Sequence, residues 1–254
     1  MATSVDRSAT GARPGPDGPL PFVAMYHSVG DRSADPYRIT VTPGRLDRQL
    51  AWLRRHGLRG VSVAELLAAR ARGAGRDLVG LTFDDGYADF VTEALPVLRR
   101  RGCGATLFVL AGRLGGDNAW DPLGPRKPLL TADGVRHAAA EGVEIGSHGL
   151  THVDLTRADD AALRAEAAGS RAVLAELTGT PVDGFCYPYG TVDRRAVAAV
   201  RDAGYGYACA IDPGPLTGPF ALPRAHIDER DHAVRLFLKY RLHGLRRRPA
   251  GRRR

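Results

Sequence analysis

"LVGLTFDDGYADF", residues 78–90, is the stretch on which the fold reading turns. Leu78 to Phe83 carries no charge and reads as a buried strand; two adjacent carboxylates, Asp84 and Asp85, and then Gly86 follow at its end. Neighbouring acids repel, and taking either out of water is costly unless a cation meets it. Asp and Gly are also ordinary turn residues, so the stretch alone supports both a plain strand end and a functional pair.

On either side of this strand, the chain exchanges strand and helix patterns. "FVAMYHSV" (22–29) is an apolar run that ends in a loop. Thr42 and Pro43 make a helix start, Leu46, Leu50 and Leu53 share a face, and Gly57 is the stop. Ser62 and Glu65 form a capping-box pattern for the next helix. A helix over "EALPVLRRRG" has Pro96 in its first turn and leads to the strand "ATLFVL" (105–110). Residues 111–130, rich in Gly and Pro, read as a surface loop that lines a groove. Further on come "VEIGS" (143–147), a long helix capped by Thr156, "DGFCYP", a helix at "RRAVAAVRDAG", "YGYACAI" and "LPRAHI". Strands alternating with helices imply parallel pairing through right-handed crossovers. The expected fold is therefore α/β, a distorted (β/α) barrel of about seven mostly parallel strands in one domain.

Composition fits this. The chain has 254 residues, 44% hydrophobic and 25% charged, near the averages for folded globular chains. No apolar run approaches the ~20 residues that span a bilayer. Residues 1–19 read as a mobile leader without the apolar core of a secretory signal, residues 20–231 as the catalytic-type domain, and the cytoplasm is the expected compartment. Cys103, Cys186 and Cys209 are unpaired in spacing and sit in apolar surroundings, as reduced core thiols do. The net charge of +8 is a property of the tail: nine Lys or Arg follow Asp231 and no acid does, leaving 27 bases against 28 acids before it. Residues 232–254 thus read as a basic C-terminal helix and tail, with Val234, Phe237, Leu238, Leu242 and Leu245 on one face. Two readings stay open: that face packs on the barrel, or it meets an anionic membrane or an acidic partner. Nucleic acid is not expected, because no recognition module accompanies the charge.

In a parallel α/β barrel, functional residues gather at the carboxyl ends of strands. Here those ends carry His27, then Asp84 and Asp85, then His148 and His152 in "SHGLTH", then Tyr189 and Gly190, and finally Arg224 and His226. Two His and one carboxylate suffice for a divalent ion with open positions. If Asp85 is that carboxylate, Asp84 is left to act as a base, which answers the question posed by the pair.

At this point the residues resemble a known family, the polysaccharide deacetylases of carbohydrate esterase family 4 (the NodB homology domain). "TFDDG" (82–86) is similar to its first motif, "SHGLTH" (147–152) to its second and "YPYG" (187–190) to part of its third. "LPRAH" (222–226), "MYHSV" (25–29) and "QLAWLRRHGLRGVSVAEL" resemble one branch of the family. The resemblance runs from about residue 21 to 230 and implies an N-deacetylase that releases acetate from N-acetylated sugar units of a polysaccharide or oligosaccharide. It implies Asp84 as general base, Asp85, His148 and His152 as ligands of one divalent ion (Zn²⁺, with Co²⁺, Mn²⁺ or Ni²⁺ as other occupants), and the backbone N–H of Tyr189 as oxyanion donor. His226 resembles the histidine that protonates the leaving amine. The third motif often has Arg where this chain has Cys186; Arg224 either supplies that guanidinium from another strand, because its planar fork suits a carboxylate, or forms a structural ion pair at the barrel rim.

The remaining candidates are less specific. His27 either supports the site or is a satisfied rim residue. Trp120 either buries within its loop or stacks on a sugar face, and Trp52 is expected in a helix core. His56, His137, His232 and His243 are expected at the surface or at helix caps. Other functions compatible with the pattern are the same chemistry on a small N-acylated glycoside or another linear amide, and a metal-containing sugar-binding module without turnover; the retained Asp84 speaks against the second.

Overall fold

The computed structural model describes residues 20–246. The chain runs through β1 (Val23–Tyr26), a short pair β2 (Ser28–Val29) and β3 (Thr40–Val41), α1 (Pro43–Arg55), β4 (Arg59–Val61), α2 (Val63–Ala71) and β5 (Leu78–Phe83). It continues through α3 (Leu95–Arg101), β6 (Thr106–Val109), α4 (Ala132–Ala140), β7 (Glu144–Ser147), α5 (Asp160–Arg164) and α6 (Ser170–Thr178). β8 (Gly184–Cys186), α7 (Arg194–Asp202), β9 (Tyr207–Ala210), β10 (Leu222–Pro223), β11 (Ala225–His226) and α8 (Ala233–Arg246) complete it.

The strands lie in the order β10-β9-β8-β7-β6-β5-β1-β11, each pairing parallel. β4 is wedged beside the first half of β5, pairing Arg59 with Leu78 and Val61 with Gly80, on the edge that β6 takes over at Thr82. β10 and β11 are halves of one segment broken at Arg224; the first half pairs with β9 and the second with β1. One segment therefore touches both edges of the sheet, and the α/β barrel all but closes.

Strand side chains alternate between two faces. Leu81 and Phe83 of β5, Leu107 and Val109 of β6 and Ala208 and Ala210 of β9 join the main core under the helices. Phe108, Cys186, Tyr207, Cys209 and Leu222 form a second, inner cluster. The interior is narrow: side chains added at Gly146 and Gly184 would run into Phe108 and Tyr207. Large and small residues thus alternate around the barrel axis, and Gly80, Thr82 and Asp84 share the inner parity of β5.

The expected caps form. Thr42 accepts from Arg45 N with Pro43 in the first turn, and Ser62 accepts from Glu65 N. Glu65 itself reaches Arg59 instead of closing the box. Two helices differ from expectation. The one around Pro96 starts earlier, as a π turn over Phe90–Ala94 that runs into α3, with Leu95 N bonded to Phe90 O. Proline lacks an N–H and crowds the carbonyl four residues back, and a five-residue turn relieves both. The helix expected from Thr156 starts later, capped by Asp159, whose Oδ1 accepts from Ala162 N at 2.8 Å. Thr156 instead closes a local turn on Asp154. The three cysteines are free. Trp52 is buried, as expected, and His56 caps α1 against its ring.

α8 corrects one expectation. It packs inward through Leu236, Tyr240 and His243, the last two rings lying edge-on to Phe22 with centroids at 5.3 and 5.1 Å. His243 Nε2 lies 2.9 Å from Pro21 O, so this histidine is buried, not superficial. Of the apolar stripe, for which the sequence leaves two readings open, Val234, Phe237 and Leu238 are 62%, 46% and 47% exposed, while Leu242 lines the space between the seam and the helix. A polar clamp fixes the rotation of the helix. Asp231, fully buried, takes Arg235 and Lys239 from the next two turns, and Lys239 also donates to His226 O. Among the described residues no helix is long and apolar enough to cross a membrane. The expected leader, residues 1–19, and the end of the tail, 247–254, lie outside the described residues.

Candidate active site

The site is assembled at the carboxyl ends of β1, β5, β7 and β8 and at the break between β10 and β11. β5 delivers Asp84 on its inner parity, anchored by Asp84 N to Tyr26 O at 3.0 Å. The chain then turns sharply, with φ of 70° at Asp85 and 72° at Gly86. β7 runs into His148, and the loop to His152 is tied at both sides. Ala111 N and Gly112 N bond to Gly149 O and Leu150 O, while buried Glu166 accepts from Leu150 N, Thr151 N and Thr151 Oγ1. Gly149, at φ 84°, is required there, because a Cβ would come within 2.6 Å of Glu166 Oε2. After β8 the chain makes a short 3₁₀ turn, Pro188–Gly190, in which Tyr189 has φ 59°. Its backbone N–H falls in the first turn, where a short helix offers no acceptor of its own. Asp85, His152 and Tyr189 are three of four non-glycine residues with positive φ among those described. Such conformations cost of order 1–3 kcal/mol each and concentrate where geometry serves chemistry.

Asp85, His148 and His152 converge. Asp85 Oδ1 lies 3.2 Å from His148 Nε2 and 3.4 Å from His152 Nε2, all three side chains buried. Oδ1 nevertheless makes no hydrogen bond. His148 Nδ1 lies 2.8 Å from Cys186 O, and a carbonyl can only accept, so Nδ1 carries the hydrogen and Nε2 turns towards Asp85. A buried oxygen without a donor, facing two imidazole nitrogens, is the donor set a divalent ion uses while keeping open positions. The residues fit such an ion. Burial works to raise the Asp85 pKa, yet the two imidazoles hold it well below the usual carboxylate range. Burial likewise opposes charge on His148, but Asp85 and Asp84 push its pKa up. A second triplet, Asp84, His148 and Cys186, also lies close, but burial keeps the Cys186 thiol protonated and Asp84 is already engaged.

Arg224 engages it. Where the seam segment breaks, the guanidinium enters the barrel and grips Asp84 in a two-pronged pair, Nη1 to Oδ1 at 2.6 Å and Nη2 to Oδ2 at 2.7 Å. Nη1 also donates to Thr82 Oγ1 at 3.0 Å. Cys186 stands 3.6 Å from the same carboxylate, so the cation lacking at that position arrives from another strand. Burial alone would raise the Asp84 pKa; the Arg224 charge and hydrogen bonds outweigh it and bring it below the ordinary value.

A cavity of about 330 Å³ covers these groups, walled by Met25, His27, Tyr37, Trp120, Asp121 and Tyr189 among others. His152 is sandwiched, with the Trp120 ring stacked on it at 4.5 Å and the Tyr189 ring edge-on at 4.5 Å. Trp120 thus belongs to the cavity wall, and the 111–130 loop does line it. His226 does not line this cavity, although its ring centre lies 6.1 Å from that of His27. It faces the neighbouring space between the seam and α8, and burial, His27 and Lys239 push its pKa down to about 4. His27 does line the cavity, with Nε2 3.9 Å from Asp84 Oδ2. Sequence reasoning missed Glu166 altogether. Its signal was an acid at an inward position of a helix, in register with Leu163, Ala167 and Ser170. Asp121 carried no comparable signal.

A family model described as polysaccharide deacetylase matches residues 71–208. The chain belongs to the polysaccharide deacetylase family. This makes it a member of a hydrolase family acting on carbon–nitrogen bonds outside peptides. YxkH of Bacillus subtilis (strain 168), named for the same family, is 25% identical over 210 residues, which cover 81% of this chain and 70% of that one. The poly-beta-1,6-N-acetyl-D-glucosamine N-deacetylase of Escherichia coli (strain K12) is 41% identical over 81 residues, 31% of this chain but only 12% of that enzyme. Among solved structures, the Streptococcus pyogenes deacetylase PplD in complex with acetate superposes with a TM-score of 0.75 at 22% identity, covering 87% of this chain and 98% of that one, which shows the shared fold.

Proposed function

We propose that this family member is a metal-dependent N-deacetylase that hydrolyses the acetamide of an N-acetylated amino-sugar unit in an oligosaccharide or polysaccharide, giving the free amine and acetate. The observation that carries the reading is the division of labour between adjacent carboxylates. Asp85 turns to two imidazoles, and Asp84 turns to a guanidinium that keeps it ionised. A binding module needs the first arrangement but not the second.

Asp85, His148 and His152 would hold the ion, with Zn²⁺ the first choice for this nitrogen and oxygen set. Bound there, it would polarise the acetamide carbonyl and acidify a water. The chain's own groups do the rest. Asp84, held ionised, accepts a proton from the attacking water. The N–H of Tyr189 donates to the developing oxyanion, an interaction worth about 3–4 kcal/mol in typical cases. His27 gives the proton that lets the amine nitrogen depart, since it shares the cavity with Asp84 and His226 does not. Trp120 and Tyr189 offer aromatic surface to a sugar ring, and Asp121 offers acceptors to its hydroxyls.

Two relatives name sugars: the E. coli enzyme above and a chitooligosaccharide deacetylase of Bradyrhizobium sp. (strain ANU 289). Both support N-acetylglucosamine units as the first substrates to try. Metal analysis of the purified protein, followed by acetate release from β-1,6- and β-1,4-linked N-acetylglucosamine oligomers, tests the proposal. Bound metal with acetate release that chelation abolishes is the expected result. Stoichiometric metal with no deacylation of any N-acetylated sugar would overturn it in favour of a binding module.

A further inference from the structure

The outward stripe of α8 has no role in the chemistry above. Val234, Phe237 and Leu238 are exposed on one side of the helix. The Arg241 guanidinium lies 5.8 Å from the centre of the Phe237 ring. The inward side is committed to the barrel through Leu236, Tyr240, His243 and the Asp231 clamp. The outward residues are therefore not a packing surface awaiting a small rotation of the helix. Turning them inward would expose Leu236 and break both ion pairs to a fully buried carboxylate.

From residue 232 to 254 the sequence carries nine Lys or Arg and no acid. The body that precedes it is nearly neutral, so the cationic excess is confined to the element that also presents bare apolar side chains. An apolar stripe flanked by long cations is the arrangement that lies in a lipid–water interface: the apolar side chains enter the acyl boundary while the cationic heads reach the phosphates. Charge selects the surface further, because each Lys or Arg near an anionic leaflet adds to the attraction. A nucleic acid would meet the charge but leave Val234, Phe237 and Leu238 in water.

We propose that α8 is a peripheral docking element for an anionic lipid surface. The element sits next to the site. Leu238 and Lys239 line a cavity that Arg224 and Ile211 also line, and those two residues belong to the wall of the catalytic cavity as well. The lipid contact itself does not depend on the deacetylase reading.

The test is co-sedimentation of the full chain with vesicles of mixed phosphatidylglycerol and phosphatidylcholine, and with phosphatidylcholine alone. The anionic vesicles should retain the protein at least about tenfold better, and added salt should weaken retention. Replacing Phe237→Ser together with Leu238→Ser should cut retention about tenfold or more, with thermal unfolding unchanged because both side chains are exposed. Equal partition onto both vesicle types would overturn the proposal. Undiminished binding of the double variant would do so too, since charge alone would then account for it. Self-association in light scattering that the double variant abolishes would assign the stripe to a second copy of the chain and equally overturn it.

Discussion

Removing the Arg224 guanidinium should change both stability and the pH at which the enzyme works. The side chain is 1% exposed and donates to both oxygens of Asp84 and to Thr82. Arg224→Lys keeps a positive charge but offers a point donor in place of a fork, so it loses at least one charge-assisted hydrogen bond, about 1.5–3 kcal/mol. Arg224→Met leaves a buried carboxylate without its cation, a change that typically costs about 3–5 kcal/mol. The catalytic consequence follows from the pKa of Asp84. With Arg224 present, its charge outweighs burial and the carboxyl sits below its ordinary value. With Met in its place, burial dominates and the pKa rises. A general base works only when ionised, so the acid limb of kcat/KM moves to higher pH. The Met variant should be most impaired at low pH and recover partly as pH rises, and the Lys variant should lie between it and the wild type. Acetate release measured across pH, beside urea denaturation of each variant, reads both quantities. An acid limb that stays in place in Arg224→Met, with stability lowered as expected, would refute the assignment of Arg224 to the base and leave it a purely structural ion pair.

Three further outcomes are expected. Asp84→Asn should retain the metal and lose roughly 10²–10⁴-fold in kcat, the usual worth of a positioned base, while His148→Ala should lose the metal; dialysis followed by metal analysis separates the two. Glu166→Gln keeps a carbonyl but loses an acceptor oxygen for the 148–152 loop, so metal affinity should fall roughly 10–100-fold with the ligands themselves untouched; unchanged affinity by competition with a chelator would show that the loop holds its own shape. His226 has a folded pKa of about 4 against an ordinary value of 6.5, so the unfolded chain binds its proton first. Its contribution is fully present above pH 6.5 and is lost as pH falls towards 4, a slope that His226→Gln should reduce in denaturation curves taken across that range.

The sequence by itself determined the architecture, because strand and helix patterns alternate along the chain and local caps such as Thr42 and Ser62 need no distant partner. It also marked Asp84, Asp85, His148 and His152, since strand ends in a parallel barrel must meet at one face. Tertiary structure decided what depended on angle and distance between segments far apart in the chain. It set His27 on the wall of the cavity over Asp84 and His226 on the wall of the neighbouring one, with the two ring centres 6.1 Å apart. It brought Glu166 beneath the loop of His148 and His152 from a separate helix. It also left Val234, Phe237 and Leu238 of α8 exposed, where a buried Asp231 and its two cations hold the rotation of the helix. Periodicity tells which residues share a face; only the packed neighbours settle where that face points.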